Sequence, residues 1–574
     1  MKKLLSLLLT LLLAGILTLS VALAGCGSIG SNGRAETAPA GESGMAATAS
    51  EATEAQTLDS FDFSLTDRDS DALYDEEAAT IISFDSANQV ETITQEGVYI
   101  ARGSSEGGQL IVDLSNAEDP DNAKAQVVLD NLTLTNTTAP ALLVAQADKV
   151  FITLAEGSTN TLSDGTGRTD LEALTTTAAD ASSTESEEAA ESEEANENAT
   201  LYSHDDLSIN GSGSLVVSSA NHHAIKCQDD LVIADGSLKV TAGGDGIRGK
   251  DSVKIAGGTI TVEAGDDGII STQTDAPYEQ GFISITGGQI TVAATDDGLK
   301  GEALVRLAGG SVSIEDSTEG LEACLVWLEG GLHTITSSDD GINAAGDIRS
   351  DYLINITGGT TYVNAEGDGL DSNDTLTQSG GTVVVAGPAQ TFGEGALDAE
   401  RLAQITGGTM LAVDNAGMSM GYGSESTQGS LLYTLSGVES AGTRISLLDS
   451  ADAVLFTFVA PKEFSTLAYS SPELTVGESY RFVRGGEVAS STSSGFEFLT
   501  GGTLSGGETL TSFTLSEQIA QIRADGSVSA YTGSGMMGPG GGGAGGGGPG
   551  GNRSRGTADS GWASNRGTQL PRPE

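Results

Sequence analysis

Basic residues are scarce in this chain: 26 lysines and arginines stand against 80 aspartates and glutamates, a formal net charge of −54. Affinity for a phosphate backbone is carried by Lys and Arg, so nucleic acid is excluded as a partner class and direct binding to anionic lipid is disfavoured. Cysteine is scarcer still, with Cys26, Cys227 and Cys324 alone. Between about residues 200 and 415 no apolar stripe repeats at the helical period, which excludes a helical core there. The leucine/asparagine consensus of leucine-rich repeats is missing, and so is the Gly-Gly-x-Gly-x-Asp calcium nonapeptide.

What the chain has in abundance is a glycine doublet: Gly257–Gly258, Gly287–Gly288, Gly309–Gly310, Gly330–Gly331, Gly358–Gly359, Gly380–Gly381 and Gly407–Gly408. The copies recur about every 22 residues, stretched by small insertions, which is the signature of a solenoid. One copy reads Gly257-Gly258-Thr-Ile-Thr-Val-Glu-Ala-Gly-Asp266-Asp267-Gly268-Ile-Ile. Ile260 and Val262 alternate with Thr259 and Thr261, the pattern of a strand with one buried face. Asp-Asp-Gly then turns the chain, because glycine accepts positive φ and aspartate caps its own turn. A second short strand follows the turn, and a third precedes the next doublet, as in Val253–Ile255, Val305–Leu307 and Val326–Leu328. Three short strands per repeat predict an all-β protein built on a parallel β-helix.

The N-terminus predicts a compartment. Met1-Lys-Lys3 and the apolar run Leu4 to Ala24 read as a secretory signal over residues 1–25. Leu23-Ala24-Gly25-Cys26 looks like a bacterial lipobox, so lipidation of Cys26 is expected to hold the protein on the extracellular face of the membrane, its sole membrane contact. Residues 26–60 are small and polar, a flexible tether. The β-helix is expected over 61–430, interrupted by a disordered acidic insertion at about 168–199 that carries Glu185, Glu187, Glu188, Glu191 and Glu193. A small β-rich domain is expected over 431–533, and a disordered Gly/Pro-rich tail over 534–574. In this register Cys227 and Cys324 lie four coils apart, about 19 Å at the spacing of neighbouring strands and past disulfide reach, so both read as free thiols.

Stacked coils stack their side chains. Aligned on the Gly-Ile or Gly-Leu step, His223, Asp245, Asp267, Asp297, Glu319, Asp340 and Asp368 form one column, and His222, Asp266, Asp296, Thr318 and Asp339 fall in the column before it. Carboxylates about 5 Å apart repel by roughly 1–3 kcal/mol per pair. Raised pKa values or a bound cation relieve that repulsion, and calcium suits the second, because it takes six to eight oxygens in irregular geometry. Asp266, Asp267, Asp296 and Asp297 across one step, and Asp339, Asp340, Asp368 and Asp371 across another, are the best placed; Asp245 and Glu319 are single acids of the same ladder. The plain alternative is a row of solvated Asp-Gly turns.

A mixed column, Lys226, Arg248, Ile270, Lys300, Glu322, Asn343 and Asp371, runs beside the acids, and its basic half suits a neighbouring carboxylate or an acidic sugar. Three residues before each doublet comes an outward column: Lys254, Ser284, Arg306, Trp327, Asn355, Thr377 and Gln404. Trp327 beside Arg306 is expected to face solvent as a sugar-stacking platform, the alternative being packing under a terminal loop or the C-terminal domain. His333 takes an inward strand position and reads as a core histidine, while zinc at His222–His223 lacks further ligands.

Val127-Val-Leu-Asp-Asn-Leu-Thr-Leu134, Val150-Phe-Ile-Thr-Leu154, Ser203-His-Asp-Asp-Leu207 and Gly244-Asp-Gly-Ile-Arg-Gly-Lys-Asp-Ser-Val253 resemble the bacterial secreted carbohydrate-binding domain proteins. The likeness covers about residues 80 to 500. It implies a right-handed parallel β-helix, polysaccharide-lyase-like, that binds calcium, cellulose and pectin-type acidic polysaccharide. It places calcium at the Asp-Asp-Gly turns, matched here by Asp266–Asp267, Asp296–Asp297 and Asp339–Asp340; His222–His223 and Thr318–Glu319 depart from the pattern. The expected function is non-catalytic, calcium-dependent polysaccharide binding by a monomer, with Trp327, Arg306, Lys300 and Arg248 on the sugar. Two alternatives stand beside it: a calcium-dependent pectate-type lyase with Lys300 as base and Lys250 or Arg248 behind it, and a surface adhesin or structural protein without sugar affinity.

Overall fold

The computed structural model describes residues 58–167, 197–389, 393–415, 418–493 and 496–532. The leader, Cys26, nearly all of the expected tether, most of the acidic insertion and the glycine-rich tail lie outside the described residues. Among the described residues no helix is long and apolar enough to cross a membrane.

The chain winds into a β-solenoid of about 11 turns, and the repeat unit read from the sequence is its coil. Face I is made of the short strands after the acidic turns, such as Ile247–Gly249, Ile269–Ser271 and Ile342–Ala344. Face II holds the strands before the doublets, such as Ser252–Ile255 and Phe282–Ile285. Face III holds those after them, such as Thr259–Ala264 and Leu332–Ser337. Leu299–Leu307 and Leu321–Leu328 run through faces I and II as single strands, their register shifting between Gly301 and Leu304. Every coil pairs in parallel with the next. Ile247, Ile269, Leu299, Leu321, Ile342 and Leu370 form one stacked inward column of face I, each fully buried. His333 lies in the matching column of face III, between Val312 and Thr361, as the register predicts.

The doublets are needed because the coils approach too closely there for a side chain. Gly310 has φ +78°, and a Cβ on it would stand 2.8 Å from the carbonyl carbon of Gly287 and from the oxygen of Gly288. Both the strained φ and the clash with backbone count against alanine. Gly310→Ala is expected to cost about 3 kcal/mol in a urea melt, whereas Gly437→Ala, with nothing within 4 Å, is expected to change little.

The C-terminal end of the solenoid is covered. Thr409–Asp414 on face III pairs antiparallel with Phe464–Ser470, which pairs antiparallel with Ser430–Glu439. The sheet edge that the last coil would expose is thereby paired. A six-stranded sheet including Arg444–Asp449, Val454–Val459 and Ser479–Arg484 closes over it. Phe456, Phe458 and Phe482 between the layers pack with the outward side chains Val384, Leu411 and Val413 of face III.

Residues 58–79 form a strap laid along the outside of face II. Leu58–Ser60 is a 3-10 turn and Asp67–Ser70 one helical turn. Phe61 is buried against Phe282, Leu304 and Leu325, with Phe63 and Trp327 packed beside it. Tyr74 and Ala79 then pack on Ile100, Val128 and Ala155, where strand Thr80–Phe84 enters the first coil.

Candidate metal centre and binding surface

The acidic turns sit where face III passes into face I, and the fold stacks them as the sequence register predicts. The amides of Gly246, Gly268, Gly298, Gly320 and Gly341 donate to the carbonyls of Asp267, Asp297, Glu319, Asp340 and Asp368 on the next coil. The side chains add a second ladder. The amide of Asp297 donates to Asp267 Oδ1 at 3.0 Å, that of Asp368 to Asp340 Oδ1 at 2.7 Å, and that of Gly395 to Asp368 Oδ1. Each of these carboxylates spends one oxygen on the amide of the following turn, a role His223 Nδ1 takes for the amide of Asp245.

In every Asp-Asp pair the members separate. Asp267 and Asp297 are buried and Asp340 is half-buried, whereas Asp266, Asp296 and Asp339 are exposed. Four groups of carboxylates have oxygens within 4.8 Å of one another: Asp267, Asp296 and Asp297; Asp297, Glu319 and Glu322; Asp340, Asp368 and Glu394; and Asp368, Asp371 and Asp398. Asp266, Asp339 and Asp245, expected as ligands, belong to none of them. Glu322, Glu394 and Asp398 do belong and were not expected.

Charge compensation changes along the ladder. At its first steps the protein supplies the cations. Arg248 Nη1 lies 2.8 Å and His223 Nδ1 3.2 Å from Asp245 Oδ2. Burial works against the charge of Asp245, but these two partners hold its carboxyl down at about 2. Arg248 therefore supplies the positive charge at that coil, and His223 Nδ1 accepts the backbone amide of Asp245 at 3.0 Å. In the middle, Lys300 Nζ bridges Asp297 Oδ2 at 2.7 Å and Glu322 Oε2 at 2.6 Å. Burial lowers the proton affinity of Lys300, but the two carboxylates outweigh it and hold its ammonium well above the ordinary range. One positive charge serves two acids, so burial and Glu322 still leave Asp297 raised. Burial, then Glu322 and Asp297, push Glu319 to about 8. Burial, then Asp245 and Asp297, do the same to Asp267.

From Asp340 onward, among the described residues, no lysine, arginine or histidine pairs with a ladder acid. Burial and the neighbouring carboxylates push Asp340 to about 7 and Asp371 to about 6, and raise Asp368 well above the carboxylate range. Asn343, in register between Glu322 and Asp371, donates Nδ2 to Glu319 Oε2 at 3.0 Å, and its buried Oδ1 has no partner. These donors fit a hard cation. They are all oxygens, as calcium prefers, and oxygens on opposite sides of one calcium ion stand about 5 Å apart. Asp340, Asp368, Asp371, Glu394 and Asp398 would hold it, and it would supply the positive charge that the chain supplies itself at Asp245 and Asp297. Beside Asp398 opens a cleft of about 480 Å³ walled by Glu400, Arg401, Met418 and Met420.

The outward column of face II is aligned as expected, Lys254 to Ser284 to Arg306 to Trp327 to Asn355. The exposure expected of Trp327 is not found. It is half-buried, because the strap lies over it. Arg306 donates to Glu329 Oε2 at 2.6 Å and Ser284 Oγ at 3.2 Å, and its guanidinium stacks 4.5 Å from the Phe63 ring. Cys227 and Cys324 are buried free thiols. His333 is fully buried with Nδ1 3.0 Å from Thr361 Oγ1, and burial lowers it to about 4.

A family model described as "Carbohydrate-binding domain-containing protein" matches residues 87–352. A curated protein of the same description from Acetivibrio thermocellus is 30% identical over 150 residues, which cover 26% of this chain and 44% of that protein. This chain thus matches less than half of that relative's length. A solved structure, the gadolinium derivative of the polysaccharide lyase-like protein from C. thermocellum, is 30% identical, covers 41% of this chain and 85% of its own, and superposes with a TM-score of 0.35. Residues 87–352 of this chain are thus similar to the carbohydrate-binding domain-containing family.

Proposed function

We propose that this protein is a non-catalytic, calcium-dependent binder of polysaccharide, either cellulose or a pectin-type uronate polymer, held on the extracellular face of a bacterial membrane by a lipid on Cys26. The observation that carries the reading is the run of carboxylates from Asp340 to Asp398, raised in pKa, without a protein counter-charge among the described residues, and opening beside a cleft. A calcium ion there relieves the repulsion and presents a positive centre to a sugar carboxylate. The family match supports carbohydrate as the partner class.

The geometry favours binding over cleavage. A lyase needs a base that gives up its proton near the working pH. Lys300 is held protonated between two carboxylates, and Arg248 is paired with Asp245. The test mixes lipid-free protein carrying Cys26→Ser with polygalacturonate and with cellulose, in calcium and in EGTA, following both bound protein and the ultraviolet absorbance of unsaturated product. Retention in calcium, loss in EGTA and flat absorbance are expected. Rising absorbance makes the protein a lyase, and no retention under any condition leaves an adhesin or scaffold.

A further inference from the structure

We propose that the outer surface of face II is a second binding surface for a uronate-bearing polysaccharide, and that residues 58–70 cover it as a built-in mimic of that ligand. The inference rests on the carbohydrate-binding reading above, but uses different residues and no metal.

On a chain with few cations, Lys149, Lys254 and Arg306 all stand on the outer side of face II, interleaved with the rings of Phe151, Phe282 and Trp327. Lys149 Nζ lies 5.8 Å from the Phe151 ring centre and 3.8 Å from Asp206 Oδ2, and Lys254 Nζ lies 5.6 Å from the Phe282 ring centre and 3.0 Å from Asp230 Oδ2. Aromatic faces for stacking, with ammonium and guanidinium groups between them for carboxylates, are what a polymer of acidic sugar rings requires.

The strap meets Phe282, Arg306 and Lys149 of this surface with matching chemistry. Phe61 and Phe63 pack edge-on against Phe282, with ring centres 5.6 and 5.3 Å away, and Phe63 also takes the Arg306 guanidinium. Farther along, the buried carboxylate of Asp69 receives Lys149 Nζ at 2.9 Å and the hydroxyl of Ser208. Two rings and one carboxylate thus lie along face II, the carboxylate on Lys149 as a uronate group would.

The cover is incomplete in two places. Arg306 Nε and Trp327 Nε1, neighbours in register, are both buried without a hydrogen-bond partner. Leaving buried donors unmade is costly, and the hydroxyls of a sugar would satisfy both where phenylalanine cannot. Between strap residues Asp71–Tyr74 and face II residues Thr153–Glu156 a cleft of about 510 Å³ remains open. A structural cover selected only for stability is expected to fill its groove and pair its donors.

The sequence holds two tryptophans, Trp327 and Trp562, so Trp562→Phe in the full chain carrying Cys26→Ser makes Trp327 emission a direct reading of the strap. Into this background we would place Phe61→Ser with Phe63→Ser. The expected result is a red-shifted, acrylamide-quenchable Trp327 and an affinity for polygalacturonate in EGTA raised about tenfold, the gain when a cover closed nine-tenths of the time is removed. A synthetic peptide of residues 58–70 should compete that gained binding away. If Trp327 becomes exposed and affinity in EGTA does not rise, or the peptide fails to compete, face II is not a sugar surface. The unaltered protein with calcium, run alongside, separates the two readings. Retention there without any gain in the variant sinks this inference alone, and no retention in either sinks both.

Discussion

Stripped of calcium, the protein is expected to melt roughly 5 °C or more lower at about pH 8 than at about pH 5.5, and excess calcium is expected to restore the loss at the higher pH while changing little at the lower. The cause is the ladder. Burial and neighbouring acids push Asp267 and Glu319 to about 8, Asp340 to about 7 and Asp371 to about 6, and raise Asp368 as well. Carboxyls in the unfolded chain titrate near pH 4. Between those values the folded state holds more protons than the unfolded one, so stability is fully present below about pH 4 and falls as pH rises through the folded values. A tenfold change in proton affinity is about 1.4 kcal/mol, so several acids titrating together, even heavily discounted for solvent, remove on the order of 3 kcal/mol. Calcium competes with those protons and replaces them at the higher pH. A melt in EGTA that is flat from about pH 5.5 to 8 would show that the ladder acids are solvated and would remove the metal proposal.

The parts of this structure legible in the sequence are those fixed by local repetition. The doublets, the period-2 strands and the Asp-Gly turns set a register that the fold reproduces residue for residue, from Lys226 opposite Arg248 to Asn343 opposite Asp371. The inward place of His333 followed from the same register. What failed to show were contacts between segments far apart in sequence. Trp327 points outward as expected, yet whether an outward ring meets water depends on Phe61 and Phe63, more than 200 residues away in a stretch without periodicity. The alternation Phe61-Asp62-Phe63 in otherwise small, polar chain was the available signal. Glu394 and Asp398 were missed for a different reason. Their coil has Ala396 where the others have glycine, so an alignment on Gly-Leu steps passes it by, although Asp398 is in register with Asp371. Lys300 could be aligned beside Asp297 but not shown to bridge Glu322, since a lysine rotamer is not set by register.

That bridge makes Lys300 the residue whose loss should be felt most. Lys300→Met keeps the apolar stem and removes the charge that serves Asp297 and Glu322 at 2.7 and 2.6 Å. Breaking a buried ion pair from one side costs about 3–5 kcal/mol. Lys300 is 27% and Glu322 22% exposed, and water recovers part of the charge, so a loss of about 2 kcal/mol in EGTA is expected. The variant should differ from an ordinary destabilised protein in its response to ions. Asp297, Glu319 and Glu322 have oxygens within 4.8 Å of one another, and without the ammonium they become a ligand set like those from Asp340 onward. Excess calcium should therefore recover most of the lost stability, and terbium titration should count one more bound ion per chain than in the unaltered protein. Lys300→Arg, which keeps the charge, should show neither effect. If Lys300→Met loses stability that calcium does not restore, and binds no additional ion, then Lys300 is a packing residue of the coil and does not stand in for a cation.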